Sequence, residues 1–479
     1  MKYDVPRVVI AAVSSGCGKT TVVTGLLSAL RQQGIKVQSY KIGPDYIDPG
    51  YHRLASGQPA HNMDTWLMPR ETMVNSFIET AQQSELAVIE GVMGLYDGGR
   101  KGISSTAEFA KLLHAPVLLV VDCKSMGASA AAIALGFQQY DPEVRIAGVI
   151  LNRLGSDNHQ QMIEEAMGRL GLQVYGAIRR NEELVMPERH LGLLPVEENQ
   201  KEQQVVDAMG EAMAQQLDLG GILQLAHNAD KLAKMLNPAD EYLQGVIESR
   251  QRLFPDDFGK IRIGLARDEA FSFYYPESLA TLERLGARLV EFSPLEDSEL
   301  PEVDGLLFGG GFPEMFAQRL SSNEAMLEAI ARSAAAGMPM LAECGGYMYL
   351  GQGLTDFQGE FYPMAGVLPG QVQMNKKLQM VGYVEAELQQ DCVLGSAGLK
   401  LQGHEFHFSS ELSGAGAASG TRAFSFTRMR NGAIYPGGFI NAAGNVVGSY
   451  LHLHFAGCPK AAVAFVGSCW NYRIKRQGK

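Results

Sequence analysis

Four short segments of the chain are apolar, rich in β-branched residues and bounded by turn formers: Val8 to Val13, Ala87 to Ile89, Val117 to Val121 and Ile146 to Leu151. Runs of this length and composition predict strands buried on both faces. Between them the apolar positions recur at helical spacing, as in Thr20 to Gln33 and Gln160 to Leu170. Strand–helix alternation predicts a parallel sheet with helices packed on it. The stretch 198–260 changes character, with Val205, Met209, Met213 and Leu217 four residues apart, and it ends in PDDFGK. That spacing predicts the core face of a helix, and the methionines need no cofactor to explain them.

Alternation resumes at Ile261. Strands are predicted at 261–266, Arg288 to Phe292, Gly305 to Phe308 and Pro339 to Ala342, with helices at Pro276 to Leu285 and Asn323 to Ala336. From about Gln371 the pattern becomes period-two, as in His404-Glu405-Phe406-His407-Phe408, and Gly414 to Gly420 reads as a flexible loop. The expected organisation is an α/β domain over 1–197, a helical segment and linker over 198–260, a second α/β domain over 261–455 and a C-terminal helix or tail over 456–479.

Composition narrows the class of protein. The chain has 479 residues, too many for one core at roughly 150 residues per domain. Its 52 acidic and 41 basic residues leave a net charge of −11, which argues against general nucleic-acid binding. Only 19% of residues are charged and 46% are hydrophobic, the balance of a chain that folds. The six cysteines, Cys17, Cys123, Cys344, Cys392, Cys458 and Cys469, form no CxxC pair, so a reducing compartment is expected. No segment reaches about 18 uninterrupted apolar residues, and the N-terminus does not read as a signal peptide. A cytoplasmic protein without membrane association is expected.

The first candidate chemistry lies at Ser14-Ser15-Gly16-Cys17-Gly18-Lys19-Thr20-Thr21, between a predicted strand and a predicted helix. A loop there can aim backbone N–H groups and a helix N-terminus at phosphate oxygens. Ser15, Gly16, Gly18, Lys19, Thr20 and Thr21 are the nucleotide-binding candidates, with Lys19 for the outer phosphates and Thr20 for Mg²⁺. The fit to the phosphate-loop consensus is incomplete, because Val13 stands where a glycine is usual. Polar residues also end several predicted strands: Lys41, Asp45 and Asp48 after the second, Glu90 and Asp97 at the next, then Asp122 and Asn152. That edge is where doubly wound sheets bind ligands. Thr20, Asp45 and Glu90 offer Mg²⁺ hard oxygen ligands, and Asn152 is a further nucleotide candidate.

The second candidate is Cys344, between predicted strand 339–342 and a Gly345-Gly346 pair that opens a helix. A cysteine on such a turn stands clear of the sheet, and a helix N-terminus is expected to lower its pKa. The N–H of Gly345 would face an oxyanion, and Gly311, in GGGFPE after another strand, offers a second donor. His452 is the candidate base, with His454 competing. His404 and His407 fall on opposite faces of a strand, which argues against a metal pair.

With both sites in view, the chain resembles the cobyrinate a,c-diamide synthase family. The resemblance rests on KIGPDYIDPGYH, IEGVMGLYDG, PERHLGLLP (187–195), GGGFPE and ECGGYMYL, and it runs from the phosphate loop to His452. The N-terminal half also resembles dethiobiotin synthetases, and the C-terminal half resembles cobyric-acid-type class I glutamine amidotransferases. Two doubly wound domains are therefore implied, a P-loop NTPase type and a flavodoxin-like amidotransferase. Class I glutaminases usually carry a glutamate two residues after the catalytic histidine, but His454 stands there, so the group that orients His452 is left open. Partition-type ATPases carry an extra lysine where this chain has Ser14.

The resemblance implies ATP- and Mg²⁺-dependent amidation of the a and c carboxylates of cobyrinate in cobalamin biosynthesis. Cys344 and His452 would release ammonia from L-glutamine, or free ammonia would serve. Lys19 and Lys41 would stabilise the transferring phosphoryl group, while Tyr46, Asp48 and Asp97 would lie near substrate or ammonia. Arg179, Arg180, Arg189 and His190 are unassigned basic residues. Hydrogenobyrinate or nickel sirohydrochlorin as substrate is one alternative. Another is an ATPase switch whose thiol domain is vestigial. The oligomeric state, a homodimer included, stays open.

Overall fold

The computed structural model describes residues 1–99, 102–181, 200–253, 258–412 and 420–478. The segment 187–195 with Arg189 and His190, most of the PDDF stretch, and the loop expected at 414–420 except its last residue lie outside these. The chain forms two compact units, Met1–Thr65 with Pro69–Leu236, and Trp66–Met68 with Asn237–Lys479. Among the described residues no helix is long and apolar enough to cross a membrane.

The first unit is built on a seven-stranded sheet. Its spatial order is His61–Met63, Val37–Ile42, Leu86–Glu90, Arg7–Ala12, Val117–Asp122, Ile146–Leu154 and Gln173–Arg179. Every adjacent pair is parallel. The central strands are buried at every position, as a sheet covered on both faces requires. Each fully buried Val, Leu or Ile in it contributes about 1.5–3 kcal/mol.

The stretch expected as a separate helical segment is divided between the units. Helices Gln200–Gln216 and Leu219–His227 belong to the first, and Pro238–Leu253 to the second. The physical reason lies in the methionine stripe. Met209, Met213 and Leu217 are buried with Val206, whereas Val205 is exposed. That face packs on helix Lys19–Gln32, with no room for a side chain at Gly25, whose Cβ would lie 2.3 Å from Met213 Cγ.

The second unit holds a ten-stranded mixed sheet. Five parallel strands, Ala287–Phe292, Ile261–Ala266, Gly305–Phe308, Met340–Glu343 and Val446–Ser449, are followed by Ile434–Ile440, Thr421–Arg428, Met380–Leu388, Lys400–His407 and Leu451–Leu453 in antiparallel pairing. Alternate side chains feed two cores. Leu307 and Leu341 point to one, while Leu306, Phe308, Met340 and Ala342 point to the other, as strand periodicity requires. The C-terminal helix Pro459–Arg476 seals the first core with Ala462, Phe465, Val466 and Cys469.

Candidate active sites

In the first unit the phosphate loop joins strand Arg7–Ala12 to helix Lys19–Gln32. Gly16 and Gly18 have φ of 80° and 82°, a conformation that strains any residue with a Cβ. No side chain caps the helix at Gly18, which leaves its first amides for an anion. Asn152 Nδ2 donates to the Cys17 carbonyl at 2.8 Å, and Asn152 Oδ1 accepts from Arg153 N at 2.9 Å. Asn152 therefore braces the loop from beneath, with both ends of its amide engaged by backbone.

Glu90, at the end of strand Leu86–Glu90, is the hub of the site and fully buried. Its Oε1 accepts from Lys41 Nζ at 2.9 Å and Thr20 Oγ1 at 2.8 Å, with Lys19 Nζ at 3.9 Å. Its Oε2 meets His52 Nε2 at 2.7 Å. Burial opposes the carboxylate charge, but Lys41 and His52 outweigh it and hold Glu90 well below the usual range. Lys41 is raised in turn: its own burial is overcome by Glu90, Asp48 and Asp45. Lys19, by contrast, is lowered, chiefly by burial.

Of the two carboxylates after the second strand, Asp48 enters this cluster. Its Oδ2 lies 2.6 Å from Lys41 Nζ and 3.3 Å from Thr20 Oγ1. Asp45 stands 4.0 Å from Lys41 and turns Oδ1 to the backbone N–H groups of Ile47 and Asp48. Asp48 thus stands closer to Thr20 and Lys41 than the expected Asp45, whose Oδ1 orders the turn before helix Asp48–Ser56 while its Oδ2 stays on the Lys41 side. Among the described residues no three His, Cys, Asp or Glu side chains are grouped to hold a metal alone. Mg²⁺ fits that arrangement, since it is held by one or two carboxylates together with substrate phosphates.

The other candidates are placed more loosely. Asp97 is exposed and accepts from Gly94 N at 3.1 Å, within its own turn. Tyr46 and Thr21 are half-buried. Arg179 pairs with Asp157 and Gln160, and Arg180 N donates to the Leu154 carbonyl. His52 was not singled out from the sequence. Its motif was visible, but its partner Glu90 lies 38 residues away.

In the second unit Cys344 sits between strand Met340–Glu343 and helix Gly345–Leu350 with φ 47° and ψ −104°. A non-glycine residue there costs on the order of 1–3 kcal/mol and recurs at functional turns. A Cβ on Gly345 would meet Gly311 N at 3.0 Å, and one on Gly310 would meet His452 Cε1 at 2.6 Å. The loop 309–311 thus lies against both the helix start beside the thiol and the imidazole. His454 turns elsewhere: its ring lies 4.8 Å from Tyr275, with Nε2 3.9 Å from Glu277. His404 is the register partner of His452, and His407 stacks on Tyr450 at 3.7 Å.

The expected fall in the Cys344 pKa is overturned. Burial, then the carboxylates of Glu314, Glu343 and Glu405, push the thiol up, and the Gly345 amide opposes them only in part. Alkylation of Cys344 by iodoacetamide, followed by peptide mass spectrometry, is therefore expected to rise about tenfold per pH unit from about pH 7 to 9. A plateau near neutrality would contradict this.

One domain that can cradle a polyphosphate and one that can open an amide through a thiol together make a glutamine-dependent synthetase. Residues 8–194 match the CobQ/CobB/MinD/ParA nucleotide binding domain. Residues 262–459 match the CobB/CobQ-like glutamine amidotransferase domain. The chain is 43% identical over 469 residues to a cobyrinate a,c-diamide synthase of Dehalococcoides mccartyi strain CBDB1, covering 96% of this chain and 97% of that one. It is 37% identical over 472 residues to a cobyrinate a,c-diamide synthase of Leptospira interrogans, covering 98% and 99%. To a hydrogenobyrinate a,c-diamide synthase of Streptomyces coelicolor it is 42% identical over 488 residues, covering 97% and 98%. The chain belongs to the cobyrinate a,c-diamide synthase family.

Proposed function

We propose that this protein converts two carboxylates of cobyrinate to carboxamides, using ATP and ammonia released from L-glutamine. The observation that carries the proposal is the presence of both sites, in order, in a chain matching its relatives end to end. A carboxylate oxygen is a poor leaving group, so ammonia alone would only form a salt. Transfer of the γ-phosphoryl group of ATP to the carboxylate breaks the Pγ–O bond to ADP and forms an acyl phosphate. Ammonia then adds to the acyl carbon and phosphate departs, leaving the amide. Lys19 and Lys41 face the transferring group as charge stabilisers, and Glu90 fixes Lys41. Thr20, Asp48 and Glu90 would hold Mg²⁺, which when bound neutralises phosphate charge.

At the other site Cys344 takes the acyl group of glutamine as a thioester, with Gly311 and Gly345 amides toward the oxyanion. His452 accepts the thiol proton and returns it to the leaving ammonia. Hydrogenobyrinate is the second reading, favoured by the 42% identity to an enzyme named for it. Incubation with cobyrinate, hydrogenobyrinate or nickel sirohydrochlorin, plus ATP, Mg²⁺ and glutamine, tests the choice by mass spectrometry. Two carboxyl-to-carboxamide mass changes on cobyrinate are expected, and their appearance on hydrogenobyrinate alone would move the assignment.

His52 provides a sharper test of the first site. His52→Ala removes the partner of Glu90 Oε2 and leaves a buried acceptor unsatisfied, a cost of about 1–3 kcal/mol. Amidation should fall about 10- to 100-fold with glutamine and with ammonia alike, as for other supports of a metal-binding carboxylate. Glutamine hydrolysis should hold. Unchanged amidation would remove His52 from the site.

A further inference from the structure

A histidine that takes a proton from a thiol needs one ring nitrogen turned toward it and the other held. The position two residues after His452, where class I glutaminases carry a glutamate, is His454, whose ring lies 4.8 Å from that of Tyr275 with Nε2 3.9 Å from Glu277. The carboxylate that faces His452 comes from the strand on the other side of the thiol. Glu343 is the last residue of strand Met340–Glu343, immediately before Cys344. Its Oε1 accepts from Leu453 N at 3.2 Å, and its Oε2 lies 4.0 Å from His452 Nδ1. One carboxylate thus spans the backbone of the histidine's strand and the histidine's ring. Its side chain is only 12% exposed, and that of His452 is 2% exposed.

We propose that Glu343 is the positioning residue for His452, supplying from the residue before the nucleophile the carboxylate missing after the histidine. The proposal rests on the assignment of Cys344 and His452 to glutamine hydrolysis made above. Burial pushes Glu343 up to about 8; once ionised and drawn closer than 4.0 Å, it would keep a proton on Nδ1 and leave Nε2 unprotonated, able to accept the Cys344 proton as sulfur adds to the amide carbon. The same proton goes to the nitrogen as the C–N bond breaks, and Glu343 is unchanged at the end. Burial above all disfavours the imidazolium, and His404 and His407 add like charge when protonated, pushing His452 down to about 3. Separations near 4 Å in ligand-free sites commonly tighten when substrate binds.

The test is Glu343→Gln in the full-length protein, read as glutaminase kcat and KM with saturating ATP and tetrapyrrole. The proposal predicts a kcat lower on the order of 10²-fold with KM for glutamine held within about threefold, because orientation acts on the chemical step. Ammonia-dependent amidation, which belongs to the other unit, should persist, and an unchanged circular-dichroism melt reports an intact fold. Glu343→Asp, which keeps the charge but withdraws it from the ring, should fall between the two. Wild-type kcat in Glu343→Gln overturns the proposal, as does a loss confined to KM. If the glutamine variant does not fold, Glu343→Asp is read by the same assay, and wild-type kcat there overturns it equally. Absence of glutaminase activity in the wild-type protein would instead overturn the assignment of Cys344.

Discussion

Replacing Cys344 by serine is expected to abolish glutamine-dependent amidation, by at least about 10³-fold, and to leave ammonia-dependent amidation near the wild-type level. A serine hydroxyl at this elbow keeps the shape of the turn but is a far weaker nucleophile than a thiolate. The thiol is 8% exposed, and its backbone N–H is tied to the Ser449 carbonyl at 2.8 Å, so the exchange leaves the fold in place. The synthetase residues Lys41, Glu90 and Thr20 belong to the other compact unit. The assay is tetrapyrrole amide formation, counted by mass spectrometry, with each nitrogen source in turn. Loss of the ammonia reaction in a folded variant would end the division of labour between two sites. Retained glutamine-dependent synthesis would remove Cys344 from the chemistry.

Glu90→Gln is expected to produce the complementary phenotype, loss of amidation with glutamine and with ammonia. The substitution preserves volume but removes the charge that Lys41, His52 and Thr20 surround. Lys41 is only 3% exposed, and the neighbouring Lys19 is already lowered by burial. Without Glu90, Asp48, 2.6 Å away, is left as the nearest charged partner of Lys41. Glu90→Ala should in addition destabilise the first unit by about 1–3 kcal/mol, the cost of leaving its buried polar partners unsatisfied, since Lys41 keeps Asp48. The pH dependence follows the same residue. Because Glu90 is held below its unfolded value, its stabilising share is present above the unfolded carboxylate range and is lost as pH falls through the folded value. Cys344 should still react with a glutamine-analogue alkylator in Glu90→Gln. An unreactive thiol would mean that the sites are energetically coupled.

Much of this was legible from residue pattern. The run Val117 to Val121 is continuous, apolar and bounded, and it folds as the buried strand Val117–Asp122. Cys344 could be found because a strand, a cysteine and two glycines describe an elbow whatever surrounds it. His61–Met63 could not, since three residues of mixed polarity carry no period, and they form a strand only by pairing beside Val37–Ile42. The antiparallel half of the second sheet showed only as alternation, which does not specify partners.

Electrostatic expectations fared worst, for a physical reason. A helix N-terminus is visible locally, but the burial and the carboxylates of Glu314 and Glu405 that raise Cys344 arrive from distant segments. The same holds for His52 on Glu90 and for Asn152, which braces Cys17 from 135 residues away. Asp45 and Asp48 were indistinguishable as residue types, and only the turn geometry assigned one to the backbone and the other to Lys41.

The most direct measurement of the central claim follows the nitrogen itself. Wild-type protein is incubated with cobyrinate, ATP, Mg²⁺ and glutamine labelled with ¹⁵N at the side-chain amide, and the corrinoid is analysed by mass spectrometry. Two ¹⁵N carboxamides per macrocycle, formed one after the other and only with ATP present, are predicted. Glutamate and ADP accumulating while cobyrinate, hydrogenobyrinate and nickel sirohydrochlorin all stay unlabelled would contradict the account.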